Sequence, residues 1–342
     1  MSARRIYLCA AMSILLAGPA MSQVTTISLP PAALAKVGGN SIFYYEPRDP
    51  KYVITALSDE GIRRIHSLQA VAQKLPSMQL SIYAIYSDAG GILYVCYTAP
   101  LAGPRGPTTT VVARIDEAAD AVVEIWKDSE LLPRSIAVAP SGKIFALGLT
   151  RQQELELRSL EGGSLAADIF HIIDPLSGSR ESGLPIRIDR ENKSRVRSLL
   201  SRGNIIFRKN GNALLSFDPV FARAGNWSDL LVAREYSADG TAVRNYQSSA
   251  FPRGADVASI QVDRDDNLII QYVTIVLGRT GIPGVQTVHR GESAILCLPA
   301  DGGRPLRAGL SVPAEEKMIG IRADGQIVTE IVGKGVIRIR QQ

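Results

Sequence analysis

Short apolar runs, each broken by Asp, Asn, Gly or Ser, recur along nearly the whole chain. Five of the breaks look alike. They are Ser87-Asp88-Ala89-Gly90-Gly91, Pro140-Ser141-Gly142-Lys143, Lys209-Asn210-Gly211-Asn212, Arg264-Asp265-Asp266-Asn267 and Ala323-Asp324-Gly325-Gln326. An apolar run precedes and follows each one, as Ile136-Ala137-Val138 and Ile144-Phe145-Ala146-Leu147 flank the second. This is the pattern of β-hairpins: Asp or Asn accepts turn hydrogen bonds, and Gly or Asn takes the position of positive φ. A second set of turns alternates with the first, at Asp59-Glu60-Gly61, Asp116-Glu117-Ala118-Ala119, Asp174 to Gly178, Asp239-Gly240 and Asp301-Gly302.

The markers Gly61, Ala119, Gly178, Gly240 and Gly302 stand 58, 59, 62 and 62 residues apart. Two hairpins per period make four strands per period, which is one blade of a β-propeller. The first period adds a weaker inner hairpin, Gly38-Gly39-Asn40 before Ile42-Phe43-Tyr44-Tyr45. The last holds the Asp324-Gly325 hairpin and one more strand, Val336-Ile337-Arg338-Ile339, but lacks a fourth. Val24-Thr25-Thr26-Ile27-Ser28-Leu29 is expected to supply it, closing a six-bladed ring and removing an exposed sheet edge. One segment is ambiguous. Ile62, Ile65, Leu68, Val71 and Leu75 have near-helical spacing, so a short helix competes with a longer strand there.

The first 22 residues have the form of a bacterial export signal. Arg4-Arg5 precede the apolar run Ile6 to Gly18, and Ala20-Met21-Ser22 is a small-x-small cleavage site. Cleavage predicts a mature chain from Gln23 to Gln342, one propeller domain, secreted or periplasmic; an uncleaved signal anchor is the alternative. The rest of the chain has no apolar run long enough for a membrane helix, so no stable membrane insertion is expected after cleavage. Formal net charge is +5, or about +3 without Arg4 and Arg5, with no basic block interleaved with aromatics; nucleic-acid binding is not expected. Cys96 and Cys297 fall in apolar runs of different blades and read as buried free thiols rather than a disulfide.

Leu132-Pro133-Arg134-Ser135-Ile136-Ala137-Val138-Ala139-Pro140-Ser141-Gly142-Lys143-Ile144-Phe145 resembles the repeat of NHL-type six-bladed propellers, whose blades are similar to those of virginiamycin lyase and the gluconolactonase family. The resemblance implies architecture more than activity.

With strands A to D running outward from the axis, A–B and C–D turns share one face and B–C and D–A connections the other. The A–B and C–D turns are nearly all short. The long connections are B–C: Ala99 to Thr108, Thr150 to Ala167, Asp218 to Ser228 and Leu277 to Gly291. Irregular material concentrated on one face marks it as the candidate functional face. At the expected starts of the A strands, Arg134, Arg197, Arg253 and Lys317 predict a positive channel mouth, moderated by Asp256 and Glu316. Such a concavity favours an anionic ligand or an acidic protein partner.

Catalytic signals are sparse. A gluconolactonase-like site would hold a divalent cation with Glu, Asn and Asp, and only Asp256 is placed to serve, among cations; no metal and no other cofactor is expected. Lyase-like chemistry would want a histidine base. His171 lies in an apolar run and His66 in the ambiguous segment, leaving His289, on the long blade-five connection, as the general base if the protein is an enzyme. The sequence therefore reads as an exported binding propeller for an unknown ligand or partner. The alternatives are a lyase- or lactonase-like enzyme acting in the channel, or a scaffold in an envelope complex.

Overall fold

A computed structural model describes residues 24–30, 33–46, 53–58, 61–67, 81–88, 90–100, 108–116, 121–190, 193, 196, 200, 204–216, 231–247, 255–279, 286–300, 306–307, 312–331 and 333–340. Their strands form six four-stranded antiparallel sheets, the blades of a propeller. Blade one is β2 (Leu34–Gly38), β3 (Ser41–Tyr45), β4 (Val53–Ser58) and β5 (Gly61–Ser67). Blade two is β6 (Ser81–Ser87), β7 (Leu93–Pro100), β8 (Thr108–Asp116) and β9 (Ala121–Asp128). Blade three is β10 (Leu131–Val138), β11 (Ile144–Thr150), β12 (Ser164–Ile173) and β13 (Arg180–Asp189). Blade four is β14 (Asn204–Phe207), β15 (Ala213–Ser216), β16 (Leu231–Tyr236) and β17 (Ala242–Gln247). Blade five is β18 (Ala255–Val262), β19 (Leu268–Arg279), β20 (Gln286–Leu298) and β21 (Leu306–Arg307). Blade six is β22 (Glu316–Ile321), β23 (Ile327–Ile331), β24 (Val336–Arg340) and, from the other end of the chain, β1 (Val24–Ser28).

Ring closure is as the repeat predicts. β1 lies antiparallel to β24, with Val24 opposite Arg340 and Ser28 opposite Val336. The innermost strands touch in sequence around the axis: β2 with β6, β6 with β10, β10 with β14, β14 with β18, β18 with β22, and β22 with β2. Blade six also reaches blade one at the far end of these strands. Ala323 N–H donates to Gly39 O (2.9 Å) and Asp324 N–H to Asn40 Oδ1 (3.1 Å).

The A–B turns of blades two to six share one bonding scheme. In blade three, Ala139 N–H donates to Lys143 O and Gly142 N–H to Ala139 O; Arg208 and Arg322 head equivalent turns in blades four and six. The position of positive φ is Gly142, Gly211 and Gly325 in blades three, four and six, but Asp266 (φ 68°) in blade five. A side chain at that φ is strained, and here the carboxylate is put to use. It accepts from Arg208 Nε (3.1 Å) and Lys209 N (3.1 Å) of blade four. Arg208 also bonds Glu235 (3.0 Å), which takes further bonds from Tyr246 and Asn212, so a buried ionic network clamps blades four and five.

The core lies between blades rather than in one centre. An aromatic group stands between blades three and four, where Phe145 meets Phe207 edge-on (5.2 Å) and Phe170 meets Tyr236 (4.5 Å). Fully burying Phe145 and Phe170 contributes about 1.5–3 kcal/mol each. Among the described residues no helix is long and apolar enough to cross a membrane.

Several expectations change. Residues 61–67 are strand β5, which settles that part of the ambiguous segment; the rest lies outside the described residues. The connection after β11 is not simply irregular: it begins with helix α1 (Arg151–Ser159), started by a Thr150–Gln153 capping box. The blade-five connection is mostly hairpin. β19 and β20 pair from Leu268↔Leu298 out to Arg279↔Gln286, so His289 stands within β20 opposite Val276, not on a long loop. The thiols of Cys96, in blade two, and Cys297, in blade five, are free, as expected, but only Cys96 is buried; Cys297 is half-buried.

Candidate functional site at the channel mouth

The A strand of blade three carries a β-bulge. Pairing with β11 shifts register between Pro133 and Ser135, leaving Arg134 as the extra residue. Blades two and five repeat the device, leaving Tyr83 (between Ile82 and Ala84) and Ala258 (between Val257 and Ser259) unpaired. Each of these residues stands four positions before the end of its strand. A bulge re-aims the side chain it carries. Opposite the blade-three bulge the partner strand needs a glycine: a Cβ on Gly148 would lie 2.4 Å from Leu132 O.

The two bulged residues of neighbouring blades meet. The Arg134 guanidinium lies 4.5 Å from the Tyr83 ring centroid, a cation–π stack. On its other flank is Glu154 of α1, at 3.7 Å, which also contacts Arg158 at 3.4 Å. At 3.7 Å the Arg134–Glu154 contact is an ion pair without a good hydrogen bond. One carboxylate is thus shared by two guanidiniums. α1 is fixed over it by buried Leu157, by Arg151 N–H donating to Glu130 O (2.7 Å), and by Lys193 Nζ on Arg158 O (3.0 Å) at its C-terminal end.

The other predicted mouth residues divide. Lys317 is the second residue of β22, half-buried and opposite Glu330. Asp256 is the second residue of β18, opposite Val273; its side chain lies outside the described set. Arg197 and Arg253 lie outside the described residues. The strand expected to begin at Arg197 begins instead at Asn204, after a stretch in which Lys193, Val196 and Leu200 are helical.

Glu316 needs correction. It heads β22, but its carboxylate turns into blade six and is fully buried. Arg340 spans both of its oxygens (2.9 Å each), Thr329 donates to Oε2 (2.6 Å), and Arg338 completes the cluster. Burial pushes this carboxyl up, but the Thr329 and Arg340 hydrogen bonds and the charges of Arg340 and Arg338 outweigh it, holding it below the usual range. Its charge is consumed inside the blade and does not moderate the mouth. Gln271 of blade five seals the same place, donating to Glu316 O (2.7 Å) and accepting from Met318 N (2.7 Å).

Among histidines, His171 is buried between Ser182 Oγ (3.0 Å) and Gly148 O (3.3 Å). Burial lowers its pKa to about 4, so near neutrality it is an uncharged core residue. Sequence reasoning missed Tyr83, whose partner is visible only once the bulges align.

No family model and no curated protein matches the chain. Solved structures do. A gluconolactonase from Xanthomonas campestris is 12% identical with a TM-score of 0.51, over 96% of this chain and 92% of that one. An oligogalacturonate lyase in complex with manganese is 11% identical with a TM-score of 0.50, over 90% and 78%. Virginiamycin B lyase from Staphylococcus aureus is 12% identical with a TM-score of 0.43, over 94% and 99%. The chain thus shares its fold with lactonase and lyase propellers, the group its repeat resembles.

Proposed function

We propose that this is an exported binding propeller that recognises an anionic ligand at the mouth formed by its B–C and D–A connections, with Arg134 as the anchor. One observation carries the reading: a bulge lifts Arg134 onto Tyr83, where its side chain stays 28% exposed and its ion pair with Glu154 is 3.7 Å long. The guanidinium is preorganised yet retains donors for a carboxylate arriving from solvent. Arg197, Arg253 and Lys317, the other cations that the sequence assigns to the strand starts, are taken as secondary contributors to the same charge. The enzyme alternative draws on the shared fold alone, and fold does not carry activity.

The test uses oligogalacturonate and oligoglutamate as anionic probes and a neutral dextran as control. Both anions are expected to bind more weakly as salt rises. Arg134→Glu, alone or with Arg253→Glu, weakens them by at least about tenfold, the equivalent of a lost charge-assisted bond of about 1.5–3 kcal/mol. Equal affinity of wild type and Arg134→Glu for these anions would remove the proposal.

A further inference from the structure

We propose that Glu154 is a built-in competitor at the Arg134 site: its carboxylate holds the place of a ligand's, and a carboxylate arriving from solvent displaces it onto Arg158. The inference rests on the reading of Arg134 as the anchor and adds what controls that anchor.

The argument begins with one oxygen. Glu154 stands in the first turn of α1, and Arg158 follows it one turn later on the same face of the helix. Glu154 Oε1 lies 3.4 Å from both Nε and Nη2 of Arg158 and 3.7 Å from Nη2 of Arg134. The same atom is thus held loosely by two guanidiniums, and already more closely by Arg158. The partners differ in freedom. Arg134 is fixed by its bulge and by the Tyr83 ring, so it cannot follow Glu154 away. The Arg158 side chain is 63% exposed and can move with it.

The exchange needs no change of backbone. The capping box, buried Leu157 and the bond from Arg151 N–H to Glu130 O hold α1 in place, so only the side chains of Glu154 and Arg158 have to turn. An incoming carboxylate can take two parallel bonds of about 2.7–2.9 Å from a guanidinium, a better contact than the single long one that it displaces. The Glu154 side chain is only 12% exposed. Losing Arg134 without another partner would strand its charge in a desolvated place. Arg158 removes that cost. It acts as a positioning residue for the exchange, and Glu154 sets the affinity threshold that a ligand must exceed.

The experiment measures oligogalacturonate binding to the intact protein by calorimetry at one low salt concentration. Glu154→Gln, which keeps the volume and helix propensity of glutamate, is expected to bind about three- to fivefold more tightly, as the loss of one partly exposed ion pair allows. Arg158→Gln is expected to bind more weakly by a similar factor. The same change made in Glu154→Gln should alter affinity by less than about twofold, because no carboxylate is left for Arg158 to receive. If Arg158 were only part of the positive field, its loss would weaken both backgrounds alike. A second readout needs no ligand: phenylglyoxal should label Arg134 faster in Glu154→Gln than in wild type, as followed by peptide mapping. Suppose Arg134→Glu weakens binding. Then Glu154→Gln binding no tighter, Arg158→Gln acting equally in both backgrounds, or Arg134 labelling no faster each overturns the exchange and leaves the anchor standing. Equal affinity of wild type, Arg134→Glu and Glu154→Gln removes the anchor and this inference together.

Discussion

Deleting residues 24–28 is expected to destabilise the protein by on the order of 5 kcal/mol and to make it self-associate. β1 supplies the outer strand of blade six, and its loss bares the edge of β24 over five residue pairs. Each lost ladder bond is worth about 1 kcal/mol. Ile337 and Ile339 are buried beside β1 in a cluster with Leu29, Ile42 and Val328, and partial exposure of each adds a further kcal/mol or so. A loss of this size approaches the whole stability of an ordinary domain. The bared edge would also be a template for pairing with another chain. Denaturant unfolding and light scattering check both halves. A variant with unchanged midpoint and a monomeric mass would show that β1 contributes nothing to closure.

Glu316→Ala should have an effect of similar size, by a different route. It leaves Arg340, whose side chain is 10% exposed, and Arg338 without the carboxylate that neutralises them. Removing one partner of a buried ion pair costs about 3–5 kcal/mol, most of it the penalty of the stranded charge. Adding Arg340→Met to Glu316→Ala should therefore recover a substantial part of the loss. The pH dependence follows from the direction of the shift. The folded carboxyl titrates below its unfolded value, so its stabilisation is present above about pH 4.5 and lost as pH falls through the folded value. Glu235, held low by Asn212, Tyr246 and Arg208 against its burial, behaves alike in blade four. Wild type should lose stability in acid, and Glu316→Ala should lose less of it over the same range. Equal stability of wild type and Glu316→Ala at pH 7 would contradict the buried cluster.

The ring was legible because propeller turns use residues with few alternatives. Asp, Asn and Gly at the tips of the A–B hairpins mark where φ turns positive, and the steps between turns are regular enough to count. The sequence was less informative about direction. Glu316 stands at a strand start, where charge reads as exposed. Yet Arg338 and Arg340, two apart in Val336–Arg340, share one face of the next strand but one, and that alternation was the available sign of a buried counter-charge. His289 was assigned to a loop because the connection was read from Leu277, although Ile275-Val276-Leu277 carries the strand onward and the turn residues Gly281, Pro283 and Gly284 come only after Arg279. The Arg134 bulge has almost no compositional signature. Gly148, across from Pro133, was its one trace.

Closure of the ring by the two chain ends is most directly tested by a cross-link. Ser28 and Val336 face each other across β1 and β24, and the neighbouring Leu29 N–H donates to Gly335 O (2.6 Å). Ser28 and Val336 thus form a non-hydrogen-bonded pair, whose Cα atoms come within about 4.5 Å, inside the range a disulfide requires. The Ser28→Cys/Val336→Cys protein, oxidised under dilute conditions, should form a disulfide within one chain, detected by peptide mapping and reversed by reductant. Failure of the two cysteines to join while the protein remains folded, or bonds formed only between separate molecules, would contradict it.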